Sequence, residues 1–360
     1  MARGQSINRR HILHELKMLC ECGAGIGAIA APACAAVRQL VDGDNGGIFW
    51  LDAARNPQGF FHETTRGDLK DLFITRFDEL FDGPGQENML TLTEPVGPSI
   101  GRCLEQDYIE QFHRGNIYKM LCAPLNHHYF IEMRVEVDGV GRALMMVWHK
   151  GQRRFRAADI EALRPAQALL QAAFASQRSD ARWIQCGTGN AHFITDVGGT
   201  RLLAIDAEAE ALLMQSHLLA QNVAMLSKPR TAPAFSLILA AMLGAGAPAR
   251  HEIAIANGRI VASARPTMML DADGGEITNM FVSLTHEVSF DVRCIEYLRA
   301  QALSPLQREL ALFGMQGGER GDCAARFGVS NEALKKHSAR IFDVLGVTKW
   351  VDLPQFAEQI

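Results

Sequence analysis

Apolar residues at Ile12, Leu13, Leu16 and Leu19 recur at helical spacing, and a similar stretch runs from about Ile26 to Val41, so the chain opens with two helices. Gly46-Gly47 leads into the apolar run Ile48-Phe49-Trp50-Leu51, and the turn-rich Asn56-Pro57-Gln58-Gly59 separates it from Phe60-Phe61, which predicts a hairpin. A polar, helix-compatible middle contains a Gly/Pro loop at Asp82 to Gly85. Strand patterns return from Tyr118 to Pro124, Tyr129 to Val137 and Arg142 to Trp148. From Phe155 to Ser176, Ile160, Leu163, Ala166, Leu169, Leu170 and Phe174 mark one long amphipathic helix.

The polar segment from Ser176 to Cys186 reads as a boundary. Beyond it come Phe193-Ile194-Thr195-Asp196, the turn at Gly198-Gly199, a strand from Leu202 to Ile205 and an alanine-rich helix from about Ala207 to Leu213. Strands are expected from Glu252 to Ala256, Arg259 to Ala264, Thr267 to Leu270 and Ile277 to Thr285, with Asn257-Gly258 as a two-residue hairpin loop. Both regions are therefore α+β with antiparallel sheets and flanking helices. No repeat of fixed period is evident.

The last sixty residues are all helical in pattern. Ser304 can cap a helix, Pro305 suits its first turn, and Gln307 completes a capping box. That helix turns Leu306, Leu310 and Phe313 inward and stops at Gly317-Gly318. A short helix from about Asp322 to Phe327 ends at Gly328, a natural left-handed residue, and Ser330 caps the next, from Asn331 to about Leu345. Leu334, Ser338, Ile341 and Leu345 form one face of it; Glu332, Lys336, Arg340 and Asp343 form another, with Lys335 and His337 at the boundary. Two helices joined by a tight Gly-containing turn, the second carrying cations outward, suit a recognition helix in the major groove.

In order and spacing, Leu303-Ser304-Pro305-Leu306-Gln307, Ala324-Ala325-Arg326-Phe327-Gly328-Val329-Ser330, Leu334-Lys335-Lys336-His337 and Ile341 to Val347 resemble the LuxR/GerE-type helix-turn-helix. The resemblance covers about fifty residues. It implies a four-helix DNA-binding domain over residues 300–360, a last helix from Val351 to Glu358 that supports a homodimer, and two-fold sites on double-stranded DNA. The residues it implies at DNA are Arg320, Ser330, Asn331, Ala333, Lys335, Lys336, His337 and Arg340. Cys323, Gly321 and Ala333 stand where the family commonly has Ile, Lys and Thr, which puts the phosphate contacts near Gly321 and Ala333 in question. The same helices would also serve as a partner interface.

Residues 6–177 resemble a GAF-type sensory domain and residues 188–295 a PAS-type one. Both folds imply a small-molecule pocket between sheet and helices. Phe49, Trp50, Phe61, Met120, Cys122, Phe130 and Trp148 are candidates to line it, although each also suits a core. His127 and His128 are adjacent on a strand edge, so they point to opposite faces and make poor joint metal ligands.

Composition narrows these readings. With 360 residues, 48% hydrophobic and 21% charged, the chain is globular and long enough for two or three domains. Its net charge is −4, from 36 basic and 40 acidic residues, so any DNA binding is local. The segment from Leu303 onward is itself charge-balanced, which leaves a second function open: an interaction adaptor that has lost DNA binding. Eight cysteines without paired CxxC spacing read as buried thiols in a reducing cytoplasm, with Cys20, Cys22 and Cys34 the alternative redox or metal group. Glu15, Lys17 and Glu21 interrupt any export signal behind Arg9-Arg10, and the apolar stretch from Phe235 to Ala247 is shorter than a membrane span. A cytoplasmic protein without membrane partner is expected. Gly23-Ala24-Gly25-Ile26-Gly27-Ala28 imitates a dinucleotide fingerprint, but a helix precedes it where a strand is required. No catalytic motif, metal site or cofactor is expected, and clustered strands exclude a doubly wound receiver domain.

Overall fold

The computed structural model describes residues 2–63, 76–82, 87–176, 178, 180–198, 202–212, 249–270 and 275–360. The apolar stretch from Phe235 to Ala247, the end of the predicted helix at Leu213, Gly199 and residues 83–85 of the Gly/Pro loop lie outside them. The architecture is α+β: two antiparallel sheets with flanking helices, then a run of helices.

Helices α1 (Ala2–Glu21) and α2 (Ile26–Leu40) precede strands β1 (Asn45–Leu51) and β2 (Pro57–His62). Helix α3 (Gln106–Arg114), strands β3 (His127–Val137) and β4 (Val140–Lys150) and helix α4 (Ala157–Ala175) complete the first unit, whose strand order is β2-β1-β4-β3. The pleat sorts its side chains to two faces. Ile48, Trp50, Ile131, Met133, Val135, Met145 and Val147 pack against α1, α2 and α4, while Phe130, Leu144, Met146 and Trp148 point to the other side.

The segment from Tyr118 to Pro124 is not the predicted strand. It is a π-helical turn, Tyr118–Cys122, followed by a 3-10 turn, Ala123–Leu125. The segment instead continues the turns of α3, with the Lys119 amide donating to the Gly115 carbonyl at 3.3 Å.

The second sheet comprises β5 (Trp183–Asp196), β6 (Leu202–Ile205), β7 (Ala249–Ile255), β8 (Gly258–Leu270) and β9 (Glu276–Ser289), ordered β6-β5-β9-β8-β7. Two details differ from expectation. The hairpin loop is Ala256-Asn257, because Ile255 pairs with Gly258; Gly258, at φ 145°, lies where a Cβ would come within 2.1 Å of the Glu287 carbonyl oxygen. Strand β8 also runs unbroken through Pro266, which among the described residues pairs with β9 alone, opposite Met280. Pro32 inside α2 disturbs that helix's hydrogen-bond ladder, and the Ala31 amide donates to Ala256 of the β7–β8 hairpin at 3.2 Å.

Helix α5 (Phe290–Arg299), which the pattern does not predict, starts at a Ser289 cap. It is followed by α6 (Pro305–Met315), α7 (Arg320–Phe327), α8 (Asn331–Leu345), a 3-10 turn at Trp350–Asp352 and α9 (Leu353–Ala357). Phe290, Cys294 and Leu298 of α5 share one apolar cluster with Leu310, Leu334, Ile341, Trp350 and Leu353. Among the described residues, no helix is long and apolar enough to cross a membrane.

Candidate functional site

Local chemistry builds the C-terminal helices. Ser304 Oγ accepts from the Gln307 amide, while the Gln307 side chain accepts from the Ser304 amide at 2.9 Å, forming the expected capping box. Gly328 ends α7 at φ 63°, and Ser330 Oγ accepts from the Ala333 amide at 3.2 Å to start α8. Leu334, Ser338, Ile341 and Leu345 are buried along one side of α8. That fixes the other side outward.

Arg320, Ser330, Asn331, Lys335, Lys336 and Arg340 are exposed, and Ala333 and His337 are half-buried. Arg340 pairs with Asp343 at 2.7 Å across a solvent-exposed turn, a contact worth little. His337 Nδ1 lies 3.5 Å from the Gln307 amide group, which ties α8 to the first turn of α6. Gly321 is exposed with open space where a Cβ would stand.

A joint that the sequence pattern does not reveal connects α1 to α6. Glu15 accepts from Arg308 Nη1 at 2.6 Å and lies 3.4 Å from Arg299. Arg308 is 8% exposed and also donates to the carbonyls of Arg299 and Gln301. One residue earlier on α1, His14 Nε2 is 3.2 Å from the Pro305 carbonyl oxygen and its Nδ1 is 3.6 Å from Glu309. The partners lie 291 and 293 residues apart, so no local spacing could signal them.

Between the first sheet and α3 lies a cavity of about 90 Å³. Of the seven sequence candidates, Cys122, Phe130 and Trp148 line it. Met120 packs beside it, in a cluster with Leu121 and Cys122. Phe49 is buried opposite Leu144 and Phe60 but does not line it. Trp50 and Phe61 pack on the opposite face of the sheet, against the helices, because successive strand residues alternate sides. Sequence reasoning missed Tyr108 and Phe112, although their i, i+4 spacing in α3 was a legible signal.

Polar groups in this wall are held by long-range contacts. Buried Glu132 accepts from the backbone amides of Arg102 and Cys103, and burial raises its pKa. Arg102 in turn donates to Glu87 Oε1 at 2.6 Å. Burial, then the charge of Glu87, pushes the Tyr108 hydroxyl well above its ordinary range. His127 is 1% exposed, and burial brings its pKa down to about 4, so its ring is neutral. Asn45 Nδ2 donates to its Nε2 at 3.2 Å, which places the proton on Nδ1. His128 instead pairs with Tyr118 and Asn126, so the adjacent histidines serve different surroundings.

Cys20, Cys22 and Cys34 are buried free thiols, and burial raises each pKa, that of Cys22 to about 11. Reactive thiolate chemistry is disfavoured there. Cys186 is exposed, unlike the remaining cysteines, because it lies where β5 and β9 lose register. Among the described residues, no three His, Cys, Asp or Glu side chains gather in a metal-holding arrangement.

No family model matches the chain, and no curated protein matches it. Among solved structures, the crystal structure of the E. coli DhaR(N)-DhaL complex matches with 14% sequence identity, covering 78% of this chain and 88% of that chain. The TM-score is 0.20, too low for the superposition to carry an argument about fold or function.

Proposed function

We propose that this chain is a DNA-binding transcriptional regulator whose N-terminal GAF-like and PAS-like region binds a small effector or partner and controls a C-terminal LuxR-type helix-turn-helix. The observation that carries this reading is the α7–Gly328–α8 unit. One side of α8 is sealed into the protein and the other presents Lys335 and Lys336, with Arg320 exposed on the neighbouring helix. On a duplex, Lys335, Lys336, Arg340 and Arg320 would meet phosphates or guanine edges, Ser330, Asn331 and Ala333 would approach the backbone, and His337 would sit at the groove margin. Val351, 75% exposed beside α9, offers an apolar point for a second copy.

The α1–α6 joint supports control. Helix α1 helps cover the first sheet and also grips α6 through Glu15 and Arg308. An effector that favours one packing of that sheet would bias the angle at which α6 and α8 are held, provided its affinity differs between the two arrangements.

The test is a salt series on DNA fragments selected from the source genome by the purified protein. Phosphate contacts make affinity fall with salt at a log-log slope of about −0.9 per contact, so Lys335→Ala with Lys336→Ala lowers the slope by about 1.8. No retention at low salt would instead favour the adaptor function, for which the balanced charge of the segment speaks; DNA binding unchanged in the double variant would overturn the placement of α8 on the duplex.

A further inference from the structure

We propose that the first-sheet cavity takes a neutral, apolar carbonyl compound of the aryl ketone kind, its oxygen on the Nδ1–H of His127 and its body against Phe112, Phe130 and Trp148. This names a ligand class for the effector pocket and so rests on the sensory reading above.

His127 supplies the head-group contact. Its Nε2 accepts from Asn45 Nδ2 at 3.2 Å, so the neutral ring keeps its proton on Nδ1. Among the described residues Nδ1–H has no hydrogen-bond partner, yet it is not sealed from water as Nδ1 of His149 is. The residue is 1% exposed and lines the cavity, so the space that Nδ1 meets is the cavity. Asn45 holds the ring at one end, and stacking on Trp148 at 5.8 Å between ring centres holds its face. A donor fixed in this way on a nearly buried ring calls for an acceptor.

The rest of the wall disfavours charge. The carboxylate in it, Glu87, is met by Arg102 at 2.6 Å and by the Tyr108 hydroxyl, and so is not offered to a ligand. Burial pushes the Cys122 thiol up to about 12, which keeps it neutral. His62 lies with its ring 4.9 Å from that of Trp148. Phe112 and Phe130 meet edge to face at 4.9 Å between ring centres, a packing that a ligand ring extends. A carboxylate ligand would give up its hydration beside the charge of Glu87, and an ammonium would set its N–H groups against that of His127. A ketone brings neither a charge nor a donor. The cavity is half open to solvent, so a ligand longer than its enclosed part extends through the mouth.

The experiment is titration calorimetry of the full chain at pH 8, where a histidine of ordinary pKa is neutral. The probes are acetophenone, 1-phenylethanol, ethylbenzene and benzoate, which share a ring and differ in head group. Acetophenone binds at about 100 micromolar, ordinary for a ligand of its size, and benzoate gives no heat. His127→Phe weakens acetophenone by about tenfold and changes ethylbenzene by less than about threefold. A second variant keeps the histidine. Asn45→Asp sets an acceptor-only side chain beside Nε2, so the ring proton moves to Nε2 and Nδ1 becomes an acceptor. Acetophenone then weakens by about tenfold, whereas 1-phenylethanol, which donates as well as accepts, changes by less than about threefold. Thermal melts of each variant establish that it is folded.

Benzoate binding as tightly as acetophenone, absence of acetophenone binding, or an acetophenone affinity untouched by either folded variant overturns the proposal. DNA retention is measured separately on the same protein with and without acetophenone. Normal salt-dependent DNA binding without acetophenone binding removes the ligand class and leaves the regulator. Acetophenone binding with no DNA retained at any salt removes the regulator and leaves the ligand class.

Discussion

In the unit built on β1 to β4, Glu132, Arg134, His127 and His149 are turned inward, whereas in α6 to α8 Arg320, Lys335, Lys336 and Arg340 face solvent. The first unit satisfies its polar groups over long stretches of chain, as when Glu132 receives the amides of Arg102 and Cys103. The helical unit caps its helices within three or four residues, through Ser304, Gln307 and Ser330, and reaches far along the chain at its joints, as where Arg308 meets Glu15. Each inward polar group of the sheet unit must be matched, because burial removes its water. The exposed charges of α8 stay solvated and need no partner inside the protein.

The largest expected effect breaks the sheet unit. A Cβ at Gly141 of β4 would lie 1.8 Å from the Thr93 carbonyl oxygen, so Gly141→Ala should cost at least about 3 kcal/mol. Hydrogen exchange should show protection lost over β1 to β4 and retained over α6 to α8. Simultaneous loss in both would mean that the α1–α6 joint makes them one cooperative unit, and the contrast would fail.

Removing the Ile341 side chain, fully buried in α8, tests the converse. Ile341→Ala should cost about 3 kcal/mol and abolish DNA retention while hydrogen exchange still finds β1 to β4 protected.

Acid should act on the sheet unit through His127. The folded protein keeps this ring neutral down to about pH 4, whereas the unfolded chain protonates it near 6.5. In that window the unfolded state binds more protons, so stability is full above pH 6.5 and falls by about 3 kcal/mol toward pH 4. His149, also lowered chiefly by burial, adds to the slope. Glu132, whose pKa burial raises, binds its proton more readily when folded and opposes the loss at the acid end. Urea denaturation across this range should show the slope, and His127→Phe should flatten it.

The smallest effect sharpens the helical side. Ser330→Ala removes the acceptor for the Ala333 amide and should cost about 1 kcal/mol in urea denaturation. Its exchange signature should be confined to the first turn of α8. Spread beyond that turn would show that the cap also holds α7.

Legibility followed the range of the interactions. The capping box at Ser304 and Gln307, the left-handed Gly328 and the buried stripe of α8 all stand in the sequence, because a helix repeats every few residues and its caps reach no further. In the sheet unit, β1, β3, β4 and the helix after them were legible, yet the pocket was read only in part. Trp50 and Phe61 carry the same apolar signal as Trp148, and nothing in their spacing says which face of the sheet will be covered by helices. The segment from Tyr118 to Pro124 misled for a related reason, since a short apolar run suits a strand and a helical turn alike.

By itself, the amino-acid sequence determined the α+β character of the first 290 residues, the helical tail and the outward face of α8, each a matter of short-range periodicity and caps. Only the tertiary structure decided that Glu15 meets Arg308 and that Tyr108, Phe112, Phe130 and Trp148 line one cavity. Ion pairs and cavity walls join residues that chain folding brings together from far apart. Their partners therefore leave no trace in local pattern.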